Sequence, residues 1–543
     1  MNKINHNSFE KNAEIRSPAN KSEISIEFNS ILFHPSESAV KNSFPVATPV
    51  FFADLNLDQI ASAFTVGKEE YNLKPFFYEP LSTADGIRYR HEILQDLEND
   101  ELRNRLETFA RNMRTMREQF AQIEKLYHKY QKERFFLDVV ELYCNTVNNL
   151  MLDLSNQPLK SEGLKSFLAY LIRLIQSEAF SFMVKEVQQI MANLSSVQYC
   201  IYIRGLRVQV REYQGETDFS AEVDETFAKF KEGKVNDYKS KLERSVTMNE
   251  VEAQILEGVA QLYPDYFLQL DHFYNEKHEF QDEIIRVFDR EIQFYMAYLN
   301  FISKFRQNGL MFCYPEISAK TKEVFNYDGF DLALANNLIS ENKSVVVNDF
   351  YLREKERILV VSGPNQGGKT TFARTFGQIH YLAAMGFPVP GCKAQLFHFD
   401  RLFTHFEKEE NMKNLRGKLQ DELYRIHLIL KEATPGSILI INEIFTSTTL
   451  QDQIFLSKKI LDKIVDLDIL GVWVTFIDEL ASYNEKTMSM VSSVVPENPA
   501  QRTFKITRCQ ANGLAYALSI AEKYKLTYNS LKIRLTHAST SLI

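Results

Sequence analysis

Several things are scarce in this chain of 543 residues, and each absence narrows the reading. The five cysteines, Cys144, Cys200, Cys313, Cys392 and Cys509, are scattered singly. No two stand at the spacing of a zinc knuckle or a redox pair, so they read as reduced thiols of a cytosolic protein. No apolar run reaches the length of a membrane helix, and the polar start, "MNKINHNSFEKNAEIRSPANKSE", has no apolar segment of the kind a secretory leader needs. The net charge of −8 excludes a polybasic coat for nucleic acid, though not a local basic surface. Glycine and proline are missing altogether from Ile87 to Gln157 and again from Asp265 to Asn308. Spans that long without a breaker favour long helices.

What is present has a clear order. Residues 1–50 are polar apart from one short patch, "ISIEFNSILF", and are expected to form a flexible arm. In the first breaker-free span, Leu102, Leu106, Phe109, Met113, Met116, Phe120, Ile123, Tyr127 and Tyr130 are spaced alternately four and three. That is a heptad seam. It fits either a core stripe between antiparallel helices of one chain or a coiled-coil dimer; the second helical span supplies a partner for the former. Between the spans, "CIYIRGLRVQVREYQGETDF" alternates as a strand pair does, a small β insertion at the end of helical arms. Arg207, Gln209 and Arg211 alternate there, so in a strand they share one face and form a candidate phosphate contact. The same residues also suit a plain solvated hairpin. From about Ser344 the texture becomes α/β: "RILVVSG", "SILIINEI" and "ILGVWVTF" are apolar runs suited to strands buried on both faces, separated by helical segments.

The first of these runs leads into "GPNQGGKTTF", Gly363, Pro364, Asn365, Gln366, Gly367, Gly368, Lys369, Thr370 and Thr371 with Phe372. This is the P-loop pattern. Its glycines let backbone N–H groups curl around phosphates at a helix N-terminus. Lys369 is then placed to neutralise the β- and γ-phosphates of ATP, and the Thr370 hydroxyl to ligate Mg2+. The second run ends in Asn442 and Glu443. Glu443 is the candidate general base for the attacking water and a second candidate metal ligand.

These motifs carry a resemblance. "GPNQGGKTTF", "GFPVPG", "DRLFTHF", "ILKEATPGSILIINEIF" and "VTFIDEL" resemble, in order and spacing, the ATPase domain of the MutS family of DNA mismatch repair proteins. "ANGLAYALSIAEKYKL" is similar to its closing helix, and "FADLNLDQI" and "PFFYEPLSTADGIRYRHEIL" to the start of its core and lever domains. The resemblance implies a multidomain fold. A long-helix core and lever domain carries a small clamp-like β insertion and is followed by an α/β P-loop ATPase of the ABC type. The implied boundaries are 1–50 for the arm, 51–194 for the core and first lever helices, 195–263 for the clamp-like insertion, 264–343 for the return lever, 344–535 for the ATPase and 536–543 for a tail. It also implies ATP and Mg2+ as cofactors, DNA as a partner, a homodimer, a possible repair-protein partner and a cytoplasmic location, nucleoid-associated if the source is bacterial.

The departures are as informative. Residues 1–50 leave no room for the family's mismatch-reading and connector domains, and no nuclease segment follows the ATPase, so a short branch that binds DNA structure without reading mismatches or cutting is expected. "FYE" at Phe77–Glu79 mimics the mismatch-reading Phe-x-Glu but falls inside the core segment, and is read as coincidence. The family's strand-end Asp is Asn442, whose amide oxygen can still bind a metal-held water but carries no charge. The family's strand-end His is Phe476, which cannot hydrogen-bond. The Ser that reaches the partner subunit's nucleotide is Gly417, with Lys418 beside it as a replacement charge. The expectation is a slow ATPase that drives a clamp-like switch. The alternative is a nucleotide-dependent dimerisation module that grips a protein and not DNA.

Overall fold

The breaker-free span from Ile87 to Gln157 is divided by caps, with no glycine or proline needed. A computed structural model describes residues 28–38, 47–205, 207–217, 226, 248–407, 417–495, 498–511, 524, 526–528 and 530–532. In it, helix α1 (Ala84–Leu97) is closed off by Asn99, whose side chain accepts from the Glu101 and Leu102 N–H groups and starts α2 (Asp100–Ile123). A turn then leads to α3 (Lys129–Ser155), α4 (Glu162–Gln176) and α5 (Glu178–Ser195). The heptad seam holds from Leu102 to Ile123 and then stops. Tyr127 falls in the turn and is 94% exposed, and Tyr130 packs on Phe267 instead. The buried part of the seam faces helices of the same chain: Phe109 meets Phe288 and Phe120 meets Phe136.

After α5 the chain forms a hairpin of β1 (Tyr199–Arg204) and β2 (Arg207–Glu212). It returns through α6 (Glu250–Leu262), α7 (Pro264–Glu276) and α8 (Glu283–Gln307). The helices and the strand pair expected from the sequence are both present in this part of the chain. No single described helix is long and apolar enough to cross a membrane.

The expected loose arm differs at residues 28–38. Phe28, Ile31, Leu32 and Phe33 are buried in the main core. They are held by partners far along the chain: Ser30 Oγ donates to Glu291 at 2.7 Å, Tyr295 OH to the Ile31 carbonyl at 2.6 Å and Arg90 Nε to the Leu32 carbonyl at 2.8 Å. The described part of that apolar patch, residues 28–33, therefore supplies part of the helical core. Burial of such side chains contributes roughly 1.5–3 kcal/mol each.

The α/β half is built on a six-stranded sheet. In chain order its elements are β3 (Ile358–Ser362), α9 (Lys369–Ala384), β4 (Leu402–Phe406), α10 (Lys418–Glu432), β5 (Ile438–Asn442), α11 (Leu450–Asp466), β6 (Leu470–Val474), β7 (Thr487–Val495) and β8 (Asn498–Arg508). The strand order is β4-β5-β6-β3-β7-β8, with parallel pairing throughout except for the antiparallel edge pair β7–β8. β3 and β6 are buried along their whole length, as their continuous apolar sequences require.

The two halves share one core. Tyr298 stacks on Phe387 at 3.9 Å, and Tyr381 OH donates to the Phe77 carbonyl. Helix α9 is tied to the helical half by Gln378 Nε2, which donates to the Leu55 carbonyl at 2.8 Å, and by Arg374 Nε, which donates to the Asp54 carbonyl at 2.9 Å. Phe77 is fully buried among Phe52, Phe64 and Tyr381, so the phenyl ring of "FYE" is taken up by the core, with Tyr78 and Glu79 half-buried beside it.

Candidate nucleotide site and basic hairpin

The loop after β3 curls because its glycines permit it. Gly363 has φ +118° and Gly368 φ +90°, and a Cβ on Gly367 would lie 2.2 Å from Ser492 Oγ. That hydroxyl donates instead to the Gly367 carbonyl at 2.7 Å, pinning the loop to β7. Pro364 is buried, while Asn365 and Gln366 form the exposed rim. Gly368 then caps α9 and aims its N-terminus into the curl.

Lys369 is 4% exposed and stands at the centre. Its Nζ donates to the Gly363 carbonyl at 3.0 Å and the Pro364 carbonyl at 3.2 Å. It lies 4.1 Å over the Phe476 ring and 3.9 Å from Glu443 Oε1. Burial pulls its pKa below the usual lysine value, and the Glu443 carboxylate partly restores it. Next to it, Thr370 Oγ1 donates to Asn442 Oδ1 at 2.9 Å. The structure thus brings Lys369, Thr370, Asn442, Glu443 and Phe476 together at the ends of β3, β5 and β6. Phe476 occupies the strand-end position with a face that holds a cation but offers no hydrogen bond. The Thr370 hydroxyl, the Asn442 amide oxygen and the Glu443 carboxylate form an all-oxygen donor set with one formal charge. That suits Mg2+, which keeps much of its shell in water and phosphate oxygens. Among the described residues no cluster of three acidic, His or Cys ligands exists elsewhere.

Glu443 sits on a tight turn. Its φ is +51° and that of Phe445 is +64°, conformations that cost of order 1–3 kcal/mol each in a non-glycine residue. The turn is held by the Glu443 N–H, which donates to the Val474 carbonyl at 3.0 Å, and by the Phe445 N–H, which donates to Glu422 Oε2 at 2.9 Å. Burial pushes the Glu443 carboxyl above its usual range, Lys369 pulls it back and Glu407 adds to the rise. Glu422 is itself 3% exposed and belongs to α10, the helix that begins at Gly417 and Lys418. Sequence reading did not single out Glu422 or its hold on the Glu443 turn; a carboxylate inside an otherwise amphipathic helix was the available signal.

Gly417 has an ordinary extended backbone, and among the described residues nothing lies within 4 Å of where a Cβ would stand. Packing does not demand a glycine there. Lys418 makes an ion pair with Glu407 of its own chain, and Glu407 also accepts from Thr446 Oγ1 at 3.1 Å.

Two further features of the site were not read from the sequence. One is the β7–β8 hairpin, which folds over the loop. Phe504 (φ +58°) lies against Gly368, and Arg502 Nε donates to the Asn365 carbonyl at 3.1 Å. The Asn348 side chain fixes this hairpin through the Phe504 carbonyl and the Ile506 N–H. The other is an apolar cavity of about 500 Å³ beside the start of α9, lined by Phe330, Leu334, Val345, Val346, Thr371 and Phe504. Its lining comes from segments more than 150 residues apart, which no local pattern reveals.

At the other end of the chain's architecture, the β1–β2 register pairs Cys200 with Arg211, Tyr202 with Gln209 and Arg204 with Arg207. Arg207, Gln209 and Arg211 do share a face, joined by Tyr202 and Arg204, which sequence reading did not single out. The Arg211 guanidinium lies 5.0 Å from the Tyr202 ring centre and donates to Gln209 Oε1 at 2.9 Å. Glu216 is the one acidic group tied to this face among the described residues, through Tyr202 OH and Cys200. The opposite face meets α6, where Val210 packs against Gly258. Arg204 directly across from Arg207 is a like-charge pair that costs stability unless an anion lies over it.

MutS domain V matches residues 359–533, the segment that contains the loop, the Asn442–Glu443 strand end and most of the sheet. The DNA mismatch repair protein MutS of Thermotoga maritima is 25% identical over 237 residues, 43% of this chain and 29% of that protein. The endonuclease MutS2 of Thermus thermophilus is 30% identical over 189 residues, 34% of this chain and 25% of that protein. The DNA mismatch repair protein MutS of Chlorobium phaeobacteroides is 27% identical over 182 residues, 33% and 21% of the two chains. The matched part thus spans less than a third of these relatives' length. Residues 359–533 thus match MutS domain V, and over that segment the chain is similar to proteins of the MutS family.

Proposed function

We propose that the protein is a slow ATPase in which nucleotide binding at the loop drives helical arms that hold DNA by its backbone. The observation that carries this is the convergence of Lys369, Thr370, Asn442 and Glu443 at one end of the parallel sheet. Lys369 now spends its donors on two loop carbonyls; an incoming triphosphate replaces them with stronger, charged acceptors. The loop N–H groups and the N-terminus of α9 add to the same anion site. The apolar cavity against Val345, Val346 and Phe504 is of the right size and character for a nucleobase. Thr370 and Asn442, with phosphate oxygens and water, would hold Mg2+, which supplies charge neutralisation at the phosphates.

Glu443 then acts as general base toward a water on the open side of the γ-phosphate. Its burial favours this role, because a carboxylate with a raised pKa is a better proton acceptor near neutrality. Slowness follows from what stands beside it. Asn442 brings no charge, and Phe476 brings no hydrogen bond to phosphate or water. Loss of one such group costs about 3–4 kcal/mol of transition-state stabilisation by analogy with removing an oxyanion-hole donor.

The nucleotide site is linked to the arms through α9, whose Gln378 and Arg374 grip Leu55 and Asp54 of the helical half. At the arm tip, the face of Arg204, Arg207, Gln209, Arg211 and Tyr202 suits phosphates, with no arrangement suggesting base reading. A closed homodimer would bring Gly417 and Lys418 of one subunit to the nucleotide of the other. A repair-protein partner fits this scheme as the recipient of the ATP-bound state.

The competing reading, a dimerisation module that grips a protein, is favoured only by the exposed apolar side chains of the hairpin, Ile203 (74% exposed) above all. The test is DNA binding by fluorescence anisotropy on duplex, mismatched and four-way DNA, with and without ATP, over a salt series. The expected result is ATP-modulated, salt-dependent binding without mismatch preference. Replacing Arg204 and Arg207 by Glu should weaken all substrates alike and reduce the salt slope by about one per lost contact. Absence of salt-dependent DNA binding would favour the protein-gripping reading.

A further inference from the structure

We propose that Glu422, reaching from α10 to the turn after β5, is a positioning residue for ATP hydrolysis: it holds that turn in the shape that aims Glu443 at the γ-phosphate. The proposal rests on the ATP reading above, with Glu443 as the base, and extends it to a residue that touches neither nucleotide nor water.

The turn is held at four successive residues. The Glu443 N–H donates to the Val474 carbonyl at 3.0 Å, and the Ile444 carbonyl accepts from Gln453 Nε2 at 3.0 Å. The Phe445 N–H donates to Glu422 Oε2 at 2.9 Å, and Thr446 Oγ1 donates to Glu407 Oε1 at 3.1 Å. These bonds differ in kind. The first two are between neutral groups. Glu407 is a carboxylate, but its side chain is open to water. Glu422 joins a carboxylate to a backbone donor where Glu422, Ile444 and Phe445 are all buried. Burying that carboxylate is costly: it pushes the Glu422 pKa above the usual range, and the Phe445 N–H pulls it back. A neutral acceptor would satisfy the same N–H at less cost, but the charge-assisted bond is roughly twice as strong.

The extra strength has a use at this place. Glu443 and Phe445 both have positive φ, a conformation that a non-glycine residue keeps only where its surroundings enforce it. Relaxation of either would swing the Glu443 carboxylate away from Lys369 Nζ, now 3.9 Å distant, and from the phosphates that Lys369 serves. Helix α10 is fixed well enough to prevent this. Ile426 is buried, and Arg425 Nη2 donates to the Phe406 carbonyl at 3.1 Å, tying the helix to β4. Glu422 thus braces the base from a rigid element.

The test is equilibrium ATP binding and single-turnover hydrolysis by the full chain across pH. The variants are Glu422→Met, which keeps the size of the side chain without its acceptor, Glu422→Ala as a second variant lacking it, and Glu422→Gln, which keeps an acceptor without the charge. Circular dichroism and thermal melting check each fold. Turnover should fall by about 10–100-fold in Glu422→Met and Glu422→Ala, the cost of misplacing a reacting group by about 1 Å, with ATP affinity unchanged. Glu422→Gln should lie between these and the unmodified protein. Burial is the main cause of the raised Glu443 pKa, with Lys369 lowering it and Glu407 raising it, while Lys418, Glu407 and Arg425 are the charges that face Glu422. A released turn exposes Glu443, so the acid limb of turnover should move to lower pH in Glu422→Met. Because Glu422 acts through Glu443, adding Glu422→Met to Glu443→Gln should cost no further turnover. Parental turnover in folded Glu422→Met, or an equal loss when it is added to Glu443→Gln, overturns this inference alone. Parental hydrolysis by Glu443→Gln overturns the base assignment, and a folded, unmodified chain that binds no ATP overturns the ATP reading itself.

Discussion

Replacing Glu443 by Gln should change sign with the nucleotide. In the free protein the Glu443 carboxylate stands 3.9 Å from Lys369 Nζ, with the two side chains 24% and 4% exposed. Two unit charges at that distance attract by about 4 kcal/mol at an effective dielectric constant of 20. Relief of carboxylate desolvation and the two loop carbonyls on Lys369 offset much of this. A net loss of about 2 kcal/mol is expected, between the values for exposed and buried pairs. For a unit of 150–250 residues that lowers the melting temperature by roughly 4–8 °C. With ATP bound the same carboxylate faces the γ-phosphate, and its removal abolishes a repulsion. Glu443→Gln should therefore show the lower melting temperature without nucleotide and a larger rise on adding ATP. Phosphate release should fall by about 10²–10⁴-fold. Scanning calorimetry with and without Mg2+-ATP, beside a phosphate-release assay, reads all three quantities. Equal destabilisation in both states, or hydrolysis at the parental rate, would refute the placement of Glu443 beside both the lysine and the reacting phosphate.

Three further outcomes follow from the same geometry. Burial raises the Glu443 pKa and the base is active only when ionised. Turnover should thus fall as pH drops through a midpoint above the ordinary Glu value of about 4.3, an acid limb absent from the residual rate of Glu443→Gln. Asn442→Asp restores a charge beside the Thr370 hydroxyl and should lower the Mg2+ midpoint of phosphate release and raise its plateau; an unmoved midpoint would place the metal elsewhere. Lys418 must leave Glu407 to reach a partner's phosphate, so in a Glu443→Gln background Lys418→Ala should weaken ATP-driven dimerisation and Glu407→Gln should strengthen it, as read by sedimentation velocity. Identical dimer populations in all three proteins would remove Lys418 from the interface.

The loop was legible in the sequence because its chemistry is strict: only glycines tolerate the curl at Gly363, Gly367 and Gly368. The strands were legible because burial on both faces forces unbroken apolar runs such as Ile438–Ile441. The seam from Leu102 to Ile123 was legible for the same kind of reason, and its end was not. The turn before Lys129 uses neither glycine nor proline, and Asn99 ends a helix by capping its successor, a signal easily lost in a polar stretch. The burial of Phe28–Phe33 could not be read locally, because Glu291 and Tyr295, which hold that segment, lie some 260 residues away. Likewise Arg502 and Glu422 act through backbone groups of distant residues, and a backbone acceptor leaves no mark in a sequence.

The central claim, that this strand-end cluster is a working nucleotide site, is tested most directly by titrating the folded protein with Mg2+-ATP and comparing Lys369→Ala. Lys369 is the one cation the loop itself contributes to the phosphates, and a charged hydrogen-bonding group of this kind contributes about 1.5–3 kcal/mol or more. The account predicts saturable binding by the unmodified chain and a loss of about 10²-fold or greater in Lys369→Ala, with circular dichroism unchanged. Equal ATP affinity in the two folded proteins would contradict it.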